Sequence, residues 1–180
     1  AIQSAEESHA GGNLNRAIDI LRNALAPSGR HPLVLHLLGG FEDQKGLTVS
    51  GLALVKEAAQ MAPRDHRVLL NYARQLLRLG KYWEAVRTLS KIHSKAKQAP
   101  DILYMLGLAH TNLDQEQSAV DALNKYLDIQ PADSNGRALL SKVYLHFNRP
   151  EKALSLYTSM GDELSKKPDC YLNYVRLLGQ

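Results

Sequence analysis

Two short stretches carry the same polar pair. LLNYARQ at residues 69–75 and YLNYVRL at residues 171–177 each set an asparagine three places before an arginine: Asn71 with Arg74, and Asn173 with Arg176. On a helix that spacing puts both side chains on one face. A guanidinium forks onto a carboxylate through two parallel hydrogen bonds, and a carboxamide both donates and accepts. The chemistry on offer is recognition of an acid-bearing polar ligand. Groups that make and break bonds are poorly placed by comparison. There are 7 histidines, but no two stand four residues apart with a carboxylate beside them, as a helical metal pair requires. A nucleophile built on Cys170 would need a base from elsewhere in the chain. We therefore expect no catalytic residues, no metal and no cofactor.

Composition narrows the partners. The 22 basic and 18 acidic side chains leave a net charge of +4, a mild and distributed excess that argues against nucleic acid and membrane surfaces. Cys170 is the one cysteine, so no internal disulfide and no cysteine-type zinc cluster is available. A reducing, cytoplasmic setting is expected. No apolar run approaches the ~20 residues of a membrane span, so no membrane insertion is expected. The opening AIQSAEESHAGG has neither the basic start nor the apolar middle of a signal peptide. The chain begins at Ala1 with a first helix cut short, which reads as a processed or excised piece and leaves room for a removed leader.

The elements that must position these side chains repeat at one spacing. PDILYMLGLAHTNLDQEQSAVDALNKYLDIQPAD, residues 100–133, reads as two amphipathic helices joined by a polar turn. The same frame, laid down every 34 residues without insertion, begins repeats at Pro32, His66, Pro100, Ser134 and Pro168. The eighth place holds Ala5, Gly39, Ala73, Gly107 and Ser141, and the twentieth Ala17, Gly51, Ala85, Ala119 and Ala153. Small residues at two fixed places let two helices approach closely, near the short end of the ~8–10 Å interaxial range. Larger apolar groups flank them, among them Leu35, Leu69, Leu103 and Tyr171 in the first helices and Leu21, Val55, Leu89, Leu123 and Tyr157 in the second. Between the helices of a unit stands Gly12, Gly46, Gly80, Asp114 or Asn148, types that tolerate the left-handed backbone that ends a helix. Asn13 is placed to cap the helix that follows it. Pro63 and Pro131 stop second helices, while Pro32, Pro100 and Pro168 open first helices.

A 34-residue helix-turn-helix of this kind, with LGLAH…A…Y…P in the unit from Pro100 and NYARQLLRLGKYWEAV in the unit from His66, resembles the tetratricopeptide repeat family. The family's pattern departs at Arg137, where a large apolar residue is usual, and at Gly51. A 35-residue RNA-binding helical repeat would slip out of phase within a few units. The resemblance implies an all-α fold: a right-handed α-α superhelix, or solenoid, of helix-turn-helix repeats forming one domain over residues 1–180. Its parts are a partial repeat 1–31, repeats 32–65, 66–99, 100–133 and 134–167, and a partial repeat or capping helix 168–180.

It implies a function too: a non-enzymatic scaffold for protein–protein interaction, binding a peptide or protein segment in a concave groove lined by the first helices. On that reading Arg67, Asn71, Arg74, Arg78, Tyr104, Lys142, Asn173 and Arg176 face the ligand, and the basic members favour an acidic peptide. In some relatives inward asparagines hold the backbone of an extended peptide while basic residues clamp its terminal carboxylate, roles that Asn71, Arg74, Asn173 and Arg176 take by resemblance. The clamp's lysine and asparagine, four apart in one first helix, are missing. His36, Leu70, Tyr104 and Ala138 stand where that lysine would be, so a chaperone-tail clamp is not expected. The alternative reading is the recognition arm of a larger enzyme, such as a sulfo- or glycosyltransferase with its catalytic domain beyond residue 180.

Local irregularities carry further expectations. Gly39, Gly40 and Gly51 fall inside helices, each at a cost of about 1 kcal/mol relative to alanine. They read as drift in a repeat held up by its neighbours, or, at Gly40, as a place where a ligand reaches the backbone. The basic tails KIHSKAKQAP and SKKPD read as solvated edges, with a minor option of binding anions such as RNA phosphates. Few aromatic platforms beyond Tyr104 support RNA. His110 and Tyr144 take one core-edge place, while His36 and His146 belong to groove or surface. The last helix, PDCYLNYVRLLGQ, presents Tyr171, Tyr174, Val175 and Leu178 with nothing to cover them. Either the natural protein continues past Gln180, the favoured reading, or this face forms a homodimer.

Overall fold

The computed structural model describes residues 1–28, 30–93 and 99–179. Among them the regular elements are eleven α-helices and one 3-10 turn, Gly161–Leu164, with no strand. The helices are α1 (Ile2–Ala10), α2 (Leu14–Ser28), α3 (Pro32–Gln44), α4 (Thr48–Met61), α5 (His66–Arg78), α6 (Tyr82–His93), α7 (Pro100–Asn112), α8 (Glu116–Ile129), α9 (Ser134–His146), α10 (Pro150–Met160) and α11 (Pro168–Leu178). Five of them, α3, α5, α7, α9 and α11, begin at the five residues marked by the 34-residue frame. An all-α fold of repeated helical hairpins is what the sequence leads one to expect.

Local chemistry sets the helix ends. The Asn13 side chain accepts the Arg16 amide at 3.1 Å. Asp65 accepts the amides of Arg67 and Val68, and Asp133 those of Asn135 and Gly136. Such a cap is worth about 1 kcal/mol. Pro32, Pro100 and Pro168 occupy the first turn, where no amide hydrogen is needed. The five expected turn residues, Gly12, Gly46, Gly80, Asp114 and Asn148, all take positive φ, from 55° to 88°. That conformation reverses the chain between the helices of a pair.

The chain divides into two compact units, Ala1–Ile92 and His93–Gln180. In the first, Ala5, Ala17, Ile18, Leu21, Val34, Leu38 and Phe41 form a core cluster. In the second, Ala119, Leu123, Leu140 and Val143 make one cluster, and Ala138, Ala153, Tyr157, Met160, Leu164 and Cys170 another. The small residues at the eighth and twentieth places are all buried. Each fully buried Leu or Ile around them contributes about 1.5–3 kcal/mol by leaving water.

Two expectations need correction. Tyr171 does not flank the core as its place in the repeat suggests; it is half exposed, on the face of α11 where Val175 and Leu178 are exposed as expected. Tyr174, expected to be uncovered, instead packs edge-on against Tyr157, with ring centroids 6.4 Å apart. The glycines of α3 and α4 are also more than drift. A β-carbon on Gly39 would meet the Gly51 carbonyl at 2.7 Å, so the two helices touch through backbone. Arg137 has a local reason as well, since its guanidinium donates to the carbonyls of Ser159 at 3.0 Å and Pro131 at 2.7 Å. It satisfies acceptors near helix ends that would otherwise need water.

Candidate functional site

Within the first unit, the polar face of α3 and α5 is tied together by contacts between residues 35 or 36 places apart. The Asn71 amide donates to the His36 carbonyl at 3.2 Å and lies 3.3 Å from His36 Nδ1. Buried Gln75 donates to the Gly39 carbonyl at 3.0 Å. Arg78 Nη1 pairs with Asp43 Oδ2 at 2.5 Å. His9 and Gln44 meet in the same way at 2.8 Å. His36 is pushed below the usual histidine range by burial; nearby Asp65 pulls upward, while Arg67 and Arg74 reinforce the depression. Its neutral ring suits the acceptor role that the Asn71 amide asks of Nδ1.

The expected ligand-facing residues of this unit are therefore largely engaged at home. Arg67 lies 3.3 Å from Asp65 and Arg78 is paired with Asp43. Asn71 holds α5 to α3. Of the three arginines, Arg74 alone makes no ion pair among the described residues, and it stays exposed.

The second unit is arranged differently. A cavity of about 400 Å³ is lined by Tyr104 of α7, by Asn135, Ala138, Leu139 and Lys142 of α9, and by residues 166–170 leading into α11. A more open one of about 610 Å³ is lined by Lys142, Leu145 and His146 of α9 and by Asp169, Leu172, Asn173 and Arg176 of α11. The two share Lys142 and Asp169, so they form one continuous groove along α9 and α11. Its cations are Lys142, Lys166, Lys167 and Arg176, against the single lining carboxylate of Asp169. Lys142 Nζ stands 3.9 Å from Asp169, Lys166 2.5 Å from Glu163, and Lys167 donates to Asn135 at 2.6 Å. Arg176 makes no ion pair among the described residues.

Aromatic groups brace the groove. Tyr104 meets Tyr126 edge-on at 5.4 Å, and the Tyr126 hydroxyl donates to Asp133 at 2.7 Å. Burial, then that hydrogen bond to a carboxylate, pushes the Tyr126 phenol up to about 12. Burial would raise Asp133, but donors from Tyr126, Gly136 and Asn135 hold it below its usual range. Burial also raises the Cys170 thiol in the cavity wall. His110 and Tyr144 occupy the core edge as expected, with His110 Nδ1 2.6 Å from Gln115. His146 sits 2.7 Å from Asp114.

Four of the sequence-predicted residues, Tyr104, Lys142, Asn173 and Arg176, thus line one groove. Lys166 and Lys167, read as a solvated tail, join them at the mouth of α11. Most of the other basic tail, residues 94–98, lies outside the described residues. No group of three metal-ligating side chains, and no helix long and apolar enough to cross a membrane, occurs among the described residues.

The tetratricopeptide repeat model matches residues 100–133, the unit that carries α7 and α8 and one wall of the groove. The chain belongs to the tetratricopeptide repeat family. Its fold matches MamA of Desulfovibrio magneticus RS-1 with a TM-score of 0.84 at 16% identity, covering 92% of this chain and 93% of that one. A tetratricopeptide repeat protein of Parabacteroides merdae gives 0.84 at 17% identity, over 98% of this chain and 70% of its own. A thermophilic tetratricopeptide repeat protein of Thermus thermophilus gives 0.72 at 18%, over 99% and 97%. At such identities these likenesses speak for the fold. A mitochondrial pentatricopeptide repeat-containing protein of Arabidopsis thaliana is 30% identical over 131 residues, 69% of this chain. The chain spans only 14% of that relative's length. The helix starts hold the 34-residue period of tetratricopeptide repeats from α3 to α11 without drift.

Proposed function

We propose that this tetratricopeptide repeat chain is a protein-binding scaffold whose groove along α9 and α11 holds an extended acidic segment. The observation that carries the reading is the charge of that groove: four cations face one lining carboxylate, and Arg176 has no ion-pair partner among the described residues. Arg176 and Lys142 pair with the segment's carboxylates. The Asn173 amide reads its backbone, and Leu139, Leu145 and Leu172 offer apolar contact between the charges. Arg74 of the first unit is available for a similar contact, whereas Arg67 and Arg78 would first have to release Asp65 and Asp43. A fluorescein-labelled peptide of alternating Glu and Ala tests this by anisotropy. Binding is expected to weaken as salt rises, and to fall about tenfold in a Lys142→Ala/Arg176→Ala double variant. Unchanged affinity in that variant would overturn the reading.

A further inference from the structure

The first unit carries a second surface, built by second helices and independent of the groove. Val49 and Trp83 stand one 34-residue period apart, at the starts of α4 and α6, and are 79% and 65% exposed. The same places in the second unit hold Gln117 and Glu151. Along α6, Trp83, Arg87 and Lys91 recur every four residues, so they form one stripe. Along α4, Val49 and Lys56 are two turns apart on one face. Between the stripes opens a cavity of about 230 Å³, with Lys56, Arg87 and Lys91 at its rim and Ala59, Leu69 and Tyr72 among its floor.

Charge decides what fits there. No carboxylate lines the cavity. The nearest acids in sequence are committed elsewhere, Glu57 to Arg30 at 2.5 Å and Glu84 to Lys81 at 3.6 Å. Among the described residues neither Lys56 nor Arg87 makes an ion pair. Two large apolar side chains left in water at equivalent places, on the same helix stripes as these two cations and an apolar-floored cavity, are complementary to one chemistry.

We propose that the outer face of α4 and α6 docks an acidic protein segment that buries one apolar side chain between the two helices. The cavity takes a side chain of leucine or aromatic size over Leu69 and Tyr72, Arg87 and Lys56 pair with flanking carboxylates, and Trp83 covers the segment's edge. The surface stands whether or not the groove along α9 and α11 binds peptide.

The test uses fluorescein-labelled peptides Glu-Glu-X-Glu-Glu, with X as Gly, Leu, Phe or Trp, against the full chain at low salt. Peptides with X as Leu, Phe or Trp are expected to bind about tenfold more tightly than the Gly peptide. Lys56→Glu/Arg87→Glu is expected to abolish that difference, while Lys142→Ala/Arg176→Ala preserves it. Circular dichroism melting of the charge-reversed variant establishes that it is folded, since both residues are exposed. Equal affinity across X, or an X-dependence that survives Lys56→Glu/Arg87→Glu, would overturn the proposal.

Discussion

The β-carbon that Gly51 lacks would lie 2.6 Å from the carbonyl oxygen of Gly39. That oxygen also accepts the buried Gln75 amide. The contact is backbone against backbone, so no side chain can swing aside to relieve it. Gly51→Ala should therefore destabilise the protein by about 1–3 kcal/mol, more than the ~1 kcal/mol that alanine gains over glycine inside a helix. Gly40→Ala is the control, because its added methyl meets only a side-chain atom, the Asn71 amide, at 3.3 Å. Urea unfolding of both variants decides the point; a Gly51→Ala variant as stable as the natural protein would contradict the packing described.

His36 makes stability depend on pH. Its folded pKa lies below the ordinary histidine value of 6.5, chiefly because burial penalises the imidazolium, with Arg67 and Arg74 adding to the depression and Asp65 opposing it. The unfolded chain therefore takes up a proton first as pH falls. Its contribution to stability is intact above pH 6.5 and is lost as pH falls from there through the folded value. Melting temperatures measured across that window should drop on acidification, and His36→Gln should flatten the slope. An identical slope in the variant would remove His36 as the cause.

Asp133 joins two functions at the start of α9. It caps the helix and accepts the Tyr126 hydroxyl that braces Tyr104. Its folded pKa is held down by those donors against the effect of burial. The resulting stability is present above the ordinary value of 3.8 and is lost as pH falls through the lower folded value. Asp133→Ala should cost about 1–2 kcal/mol through the lost cap. Tyr126→Phe should cost about 1 kcal/mol through the lost hydrogen bond. Their double variant should cost less than the sum, because both remove one shared contact. Strict additivity in urea unfolding would show the contact to be energetically empty.

Turns and helix approaches were legible in the sequence because each is decided by one residue's own sterics. Positive φ at Gly12, Gly46, Gly80, Asp114 and Asn148, and the small residues facing each other in every hairpin, follow from side-chain size and a fixed period. The binding surfaces were legible only in part. Asn71–Arg74 and Asn173–Arg176 are alike in sequence, yet Asn71 is tied to α3 while Asn173, beside Tyr157, and Arg176 line the groove along α9 and α11. That difference comes from the neighbouring helix, which local spacing does not encode. The pairing of Arg78 with Asp43, and of Arg22 with buried Glu42 at 2.6 Å, also arises only once helices stack. Lys166 and Lys167 looked like a solvated tail because their place beside Tyr104 and Lys142 is set by the turn before α11.

On the function proposed, the groove along α9 and α11 selects acidic, extended protein segments. The most direct measurement is an array of extended peptides of varied charge, probed with the protein and with its Lys142→Ala/Arg176→Ala variant at near-physiological salt. Bound sequences are expected to be enriched in Asp and Glu, and the double variant to lose most of that signal while Lys56→Glu/Arg87→Glu keeps it. Selection of neutral or basic sequences, or an acidic preference untouched by the loss of Lys142 and Arg176, would contradict it.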